Sequence, residues 1–176
     1  MKKPEVFVLI VLLLTGCATN SQKIPVDVTT VKFLDLQKYM GVWYETARFD
    51  HRFERGLTGV TATYSLLPNG KIQVVNAGYK ESLQGKFTSA KAMAKLPNPS
   101  EPGKLKVFFV PFFGADYFVL DLDTDYQWVL VGSSSPNYLW ILSRNKTMEP
   151  ETYEMLLNRL KSRGYDIEKL IKVIQK

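Results

Sequence analysis

At 176 residues the chain is long enough for one domain with a sizeable core and too short for two comfortable ones. Its 45% hydrophobic and 23% charged residues are those of a folded protein, and the 12% aromatic share favours pleated strands. The net charge of +6 comes from basic residues scattered without a run of five, the pattern of a solvated mixed surface and not of a nucleic-acid-binding tract.

Residues 1–16 read as a leader. Lys2 and Lys3 give it a cationic start, and residues 6–14 contain no polar side chain. That run is far shorter than the ~20 residues needed to span a bilayer. It ends in Leu14-Thr15-Gly16-Cys17, which resembles the bacterial lipobox. The resemblance implies that the Cys17 thiol carries a diacylglycerol. It also implies cleavage before Cys17 and acylation of the new amine by a palmitate-type chain. Several acyl chains anchor far more firmly than one. Ala18, standing where an Asp would direct retention, implies the outer membrane, with the domain facing the periplasm. Residues 17–30 are then the lipidated cysteine and a polar tether, and 31–176 the domain. Without Lys2, Lys3 and Glu5 the chain keeps 21 basic against 16 acidic residues. Cys17 is the only cysteine, so no disulfide can form within the chain.

Short β-like runs follow, separated by turn signals. Residues 43–49 and 60–67 come first. Pro68-Asn69-Gly70 then leads into 71–79, the strongest hairpin signal in the sequence. Further runs occupy 87–96, 104–110, 117–122, 126–131 and 138–143, making eight. Eight antiparallel strands suffice to close an up-and-down barrel able to hold a small ligand. The period then changes: Tyr153, Leu156, Leu157 and Leu160 share one helical face, with Pro150 at the start and Gly164 at the stop. That helix is expected to pack outside the sheet. Residues 170–174 suit one more short strand.

Three pieces of this layout together resemble the lipocalin family. They are Gly41-Val42-Trp43-Tyr44 at the first strand, Thr124-Asp125-Tyr126 before the seventh, and Arg144 after the eighth. The segment from Arg48 to Gly56 is similar, more narrowly, to the bacterial lipocalins. The resemblance implies an all-β, eight-stranded antiparallel up-and-down barrel with one C-terminal helix packed outside. It implies that Trp43 plugs the closed end under Arg144, a cation–π contact worth ~1–2 kcal/mol. Gly41 would let the chain turn tightly into the first strand. Gly41, Trp43, Thr124, Asp125, Tyr126 and Arg144 are structural in this reading.

Alternation from Trp43 turns Glu45 and Ala47 inward. Matching the hairpin to the family turns Ala62, Tyr64, Val74 and Asn76 inward. Alternation set by Tyr126 and Arg144 adds Val107, Phe109, Tyr117, Val119, Leu130, Tyr138 and Trp140, and Ala90, Ala92 and Ala94 line the fourth strand. Alanines opposite aromatics leave space for an acyl chain, and Tyr64, Asn76 and Tyr138 supply polar points. The loop over 49–59 and the turn 111–114 should form the open end. There Phe53, Leu57, Phe112 and Phe113 could meet a lipid tail, and Arg52 or Arg55 a phosphate or carboxylate. A homodimer is the other use of such exposed apolar turns.

His51 is the only histidine, so a metal site lacks companions, and it is expected as a loop residue. No nucleophile elbow or phosphate-binding loop is present, and no cofactor is implied. Glu45 and Asp121 are acids expected to face inward. The resulting expectation is a membrane-anchored protein binding fatty acids or lysophospholipids for storage or transport, with no catalytic residue. The alternative is an enzyme on a lipophilic substrate, with Glu45 or Tyr64 as acid–base groups.

Overall fold

The computed structural model describes residues 25–176, so Cys17, the leader and most of the tether lie outside the described residues. Within them the chain forms α1 (Leu36–Tyr39), β1 (Gly41–Phe49), β2 (Leu57–Leu66), β3 (Ile72–Lys80), β4 (Phe87–Lys95), β5 (Lys104–Val110), β6 (Phe113–Leu122), β7 (Trp128–Gly132), β8 (Leu139–Ser143), α2 (Pro150–Ser162) and β9 (Leu170–Lys172). Strands β1 to β8 pair antiparallel in sequence order, and β1 pairs with both β8 and β2, which closes the barrel. The hairpin between β2 and β3 turns on Gly70, whose φ of +75° needs no Cβ.

Helix α2 starts at Pro150 and stops before Gly164, at φ +83°. It buries Leu156 and Leu160 against Leu120, Leu130, Leu139 and Ile141 on the outer face of the barrel. Strand β9 extends the sheet beside β1. Helix α1, which lacks a periodic signature, is one turn capped by Asp35, whose carboxylate accepts from the N–H groups of Gln37 and Lys38.

The closed end follows the family pattern. The Arg144 guanidinium lies 3.9 Å from the Trp43 ring centroid and donates to the carbonyls of Val42 (2.8 Å), Lys38 (2.7 Å) and Tyr126 (3.3 Å). A Cβ at Gly41 would stand 3.3 Å from that guanidinium. Trp43 donates its indole N–H to the Tyr39 carbonyl. Tyr126 takes a left-handed turn conformation (φ +59°) and its hydroxyl accepts from the Asp35 N–H, while Thr124 and Asp125 are exposed turn residues.

Three irregularities reset the inward and outward faces. Tyr126 belongs to a turn and the seventh strand begins at Trp128, so alternation counted from Tyr126 carries the wrong parity. Leu130 therefore points outward under α2, and Val129 and Val131 point inward. A bulge between Glu45 and Ala47 turns Ala47 outward under α2 and brings Arg48 inward. A second bulge between Val119 and Asp121 turns Asp121 outward, where its carboxylate accepts from Arg159 on α2 at 2.7 Å.

Candidate functional site

The barrel encloses a cavity of about 1110 Å³ that opens at the end opposite Arg144. This is at or above the ~300–1,000 Å³ of ordinary small-molecule pockets. Its walls are mainly apolar. Nine of the twelve residues expected to meet a ligand line it: Ala62, Tyr64, Val74, Asn76, Val107, Phe109, Tyr117, Tyr138 and Trp140. Ala92 and Val119 also face inward, but they sit below the cavity in the packed core with Trp43, Tyr39 and Leu105. Leu130 faces away, as above, and Val131 takes its place on the wall. On β4 the cavity reaches Thr88 and Ala90 and stops short of Ala92 and Ala94.

Tyr64 and Tyr117 form the floor, with Tyr39 directly beneath them. Tyr64 donates to the Tyr117 hydroxyl at 2.9 Å, and the Tyr39 and Tyr117 hydroxyls lie 2.6 Å apart. Burial pushes all three phenols above their ordinary value of 10.0, so they remain protonated donors and acceptors. Asn76 lies between Ala62 and Ala90 on the neighbouring strands, and its buried side-chain oxygen has no hydrogen-bond partner among the described residues.

The wall beside β1 carries a buried charged cluster. Arg48 donates to Glu45 Oε1 at 2.6 Å and to the carbonyls of Glu54 (2.7 Å) and Leu57 (3.4 Å). Glu54 accepts from the Trp140 indole N–H at 3.0 Å and lies 3.0 Å from His51 Nε2. Burial, and then the facing Glu54 carboxylate, raise Glu45 well above its ordinary 4.5, and Arg48 offsets this only in part. Burial works against Glu54 too, but His51 and Trp140 hold it below 4.5. His51 is thus a loop residue, as expected, but a buried one, at 8% exposure, packed against Phe53, Tyr138 and Trp140.

Sequence reasoning missed Arg48, His51 and Glu54 as one unit. A signal was present: a buried Glu45 needs a cation, and Arg48 is the nearest one along the strand.

At the rim, Arg52, Phe53, Arg55, Leu57 and Phe113 line the opening, and Arg55 is paired with Asp50 at 2.9 Å. Phe112 stands clear of the cavity, 96% exposed. The turn it occupies is shorter than expected, since Phe113 and Gly114 already belong to β6. Among the described residues no group of three His, Cys, Asp or Glu is placed to hold a metal ion, and no helix is long and apolar enough to cross a membrane.

Comparison with known proteins agrees with this architecture. A family model described as a Lipocalin-like domain matches residues 34–175. The outer membrane lipoprotein Blc of Escherichia coli is 43% identical over 159 residues, covering 90% of this chain and 89% of that protein. The Blc of Vibrio cholerae is 42% identical over 165 residues, 93% of each chain. Temperature-induced lipocalin-1 of Arabidopsis thaliana is 43% identical over 157 residues, 85% of this chain and 83% of that one. Insecticyanin from the tobacco hornworm Manduca sexta shares the fold, with a TM-score of 0.67, 22% identity and 85% coverage of both chains. With its closed eight-stranded barrel, its Trp43–Arg144 plug and this match over nearly the whole domain, the chain belongs to the lipocalin family.

Proposed function

We propose that this chain is an outer-membrane lipoprotein, anchored through Cys17 with its domain in the periplasm, that takes fatty acids or lysophospholipids into its barrel for storage or transport. The cavity carries this reading: it is large, open at one end and walled by apolar side chains, with a few polar points. Burying an acyl chain there supplies ~0.8 kcal/mol per CH₂. Rim cations Arg52 and Lys80 suit an anionic headgroup left near solvent. The lipobox and the similarity to the Blc lipoproteins support the location.

The geometry gives the enzymatic alternative no particular support. Glu45 is held by Arg48, and the Tyr64 proton is directed to Tyr117. Native mass spectrometry with lysophospholipid should show one lipid per chain, and Ala90→Trp, which fills the cavity, should cut affinity at least about tenfold, or ~1.4 kcal/mol. Absence of any acyl-lipid complex would sink the proposal, and conversion of the bound lipid would favour the enzyme.

A further inference from the structure

The barrel wall is not equally sealed all round. Strand β4 pairs with β3 from Phe87 through Ala94, but with β5 only at Met93, Ala94 and Lys95. Over residues 87–92 its other edge has no strand partner among the described residues. Across that seam stand Phe109 and Val110, 50% and 54% exposed, where β5 bulges before turning into β6. Outside the seam lies a groove of about 440 Å³ lined by Lys71, Gln73, Lys91, Lys95 and Phe108. Phe109 and Val110 line both this groove and the central cavity. The two spaces therefore meet at the same pair of side chains.

The groove is cationic. Lys71, Lys91 and Lys95 form no ion pair among the described residues, and Lys95 lies 5.1 Å from the Phe108 ring centroid. Next to the groove the β5–β6 hairpin ends in Phe112 and Phe113, 96% and 78% exposed. Apolar tips flanked by lysines suit an anionic bilayer surface.

The attachment point fits that placement. The first described residues run beside the end of α2: Pro25 lies against Gly164, and the Asp27 N–H donates to the Arg163 carbonyl. The next residue, Tyr165, sits at Gly132, the mouthward end of β7. The eight steps from Cys17 to Pro25 reach at most about 28 Å. A lipid on Cys17 would therefore keep the barrel within about 28 Å of its bilayer.

We infer that the β4–β5 seam is a lateral portal, through which an acyl lipid slides from the bilayer into the cavity while its anionic headgroup rests on Lys71, Lys91 and Lys95. This rests on the lipid-binding reading above and adds the route. Phe109 and Val110 are its gate, and Phe112 and Phe113 its footing in the membrane.

The test follows transfer of a fluorescent lysophospholipid from phosphatidylglycerol-containing vesicles to the full-length processed protein. The variant K71E/K91E/K95E should slow uptake from these vesicles about tenfold, because steering by three charges is reversed. It should also lose the preference for anionic over phosphatidylcholine vesicles. The rim variant R52E/R55E/K80E should slow uptake less. Bridging K91C/V110C with a short bis-maleimide, each thiol adding across one maleimide double bond, should stop uptake. Wild-type rates in the lysine variant or in the bridged protein, or a larger effect at the rim, would overturn the portal. So would uptake that slows as protein concentration rises, the mark of a second copy covering the seam. A wild-type protein that binds no labelled lipid even at equilibrium would instead overturn the lipid-binding reading beneath it.

Discussion

Glu45 and Arg48 stand three apart on one strand, a spacing that regular alternation would split between faces. The bulge at Thr46 turns both inward, and the ion pair they form is almost free of water, at 3% and 1% exposure. Its two acids are unequal. Glu54 has Trp140, His51 and Arg48 around it and is held low, whereas Glu45 has Arg48 alone and faces Glu54. The folded chain thus binds the Glu45 proton more tightly than the unfolded chain does. That contribution to stability is complete below 4.5 and is lost as pH rises through the elevated value. Glu45→Gln keeps a hydrogen-bond acceptor for Arg48 and has no proton to lose. Thermal unfolding from pH 4 to pH 8 should show the variant gaining on the wild type as pH rises. A wild type that gains on the variant over that interval would contradict the assignment.

The strands show how far a pattern in the sequence can be trusted. The hairpin on Asn69-Gly70 is specified locally and lies where it was expected. So does α2, because Leu156 and Leu160 recur at helical spacing and Pro150 and Gly164 bound it. Side-chain direction is less local. Each bulge inserts one residue, and the inserted residue carries no signature of its own, so Ala47 and Asp121 exchange faces unannounced. Leu130 departs from simple alternation for a related reason: Tyr126 looks like a strand residue but occupies a left-handed turn. Helix α2 closes a second core, separate from the one inside the barrel. Leu160→Ala should therefore cost about 3 kcal/mol in urea unfolding, through lost burial and the cavity left behind. A loss under about 1 kcal/mol would mean that the helix is only loosely held.

On the scale of the whole molecule the barrel was legible because its evidence is distributed. Turn signals, strand spacing and the Trp43–Arg144 pair all point one way. The cavity was legible in outline for the same reason. Its lower limit was not, since Ala92 and Val119 differ from Ala90 and Tyr117 only in height along the barrel, a coordinate that alternation does not contain. The seam between β4 and β5 was hidden too: both strands read normally in sequence, and the gap arises only from how few residues they share.

The tyrosine floor gives the barrel a fixed depth. Tyr64, Tyr117 and Tyr39 are joined by hydroxyl contacts and backed by Trp43, so a hydrocarbon tail cannot push past them. The protein should consequently act as a ruler. Across a homologous series of saturated fatty acids, binding should tighten by up to ~0.8 kcal/mol with each methylene until the chain touches the floor. Beyond that length it should level off, because further carbons must stay outside. Isothermal titration along the series would read the depth directly, as the chain length at the break. An affinity that climbs without a break would mean that the floor yields.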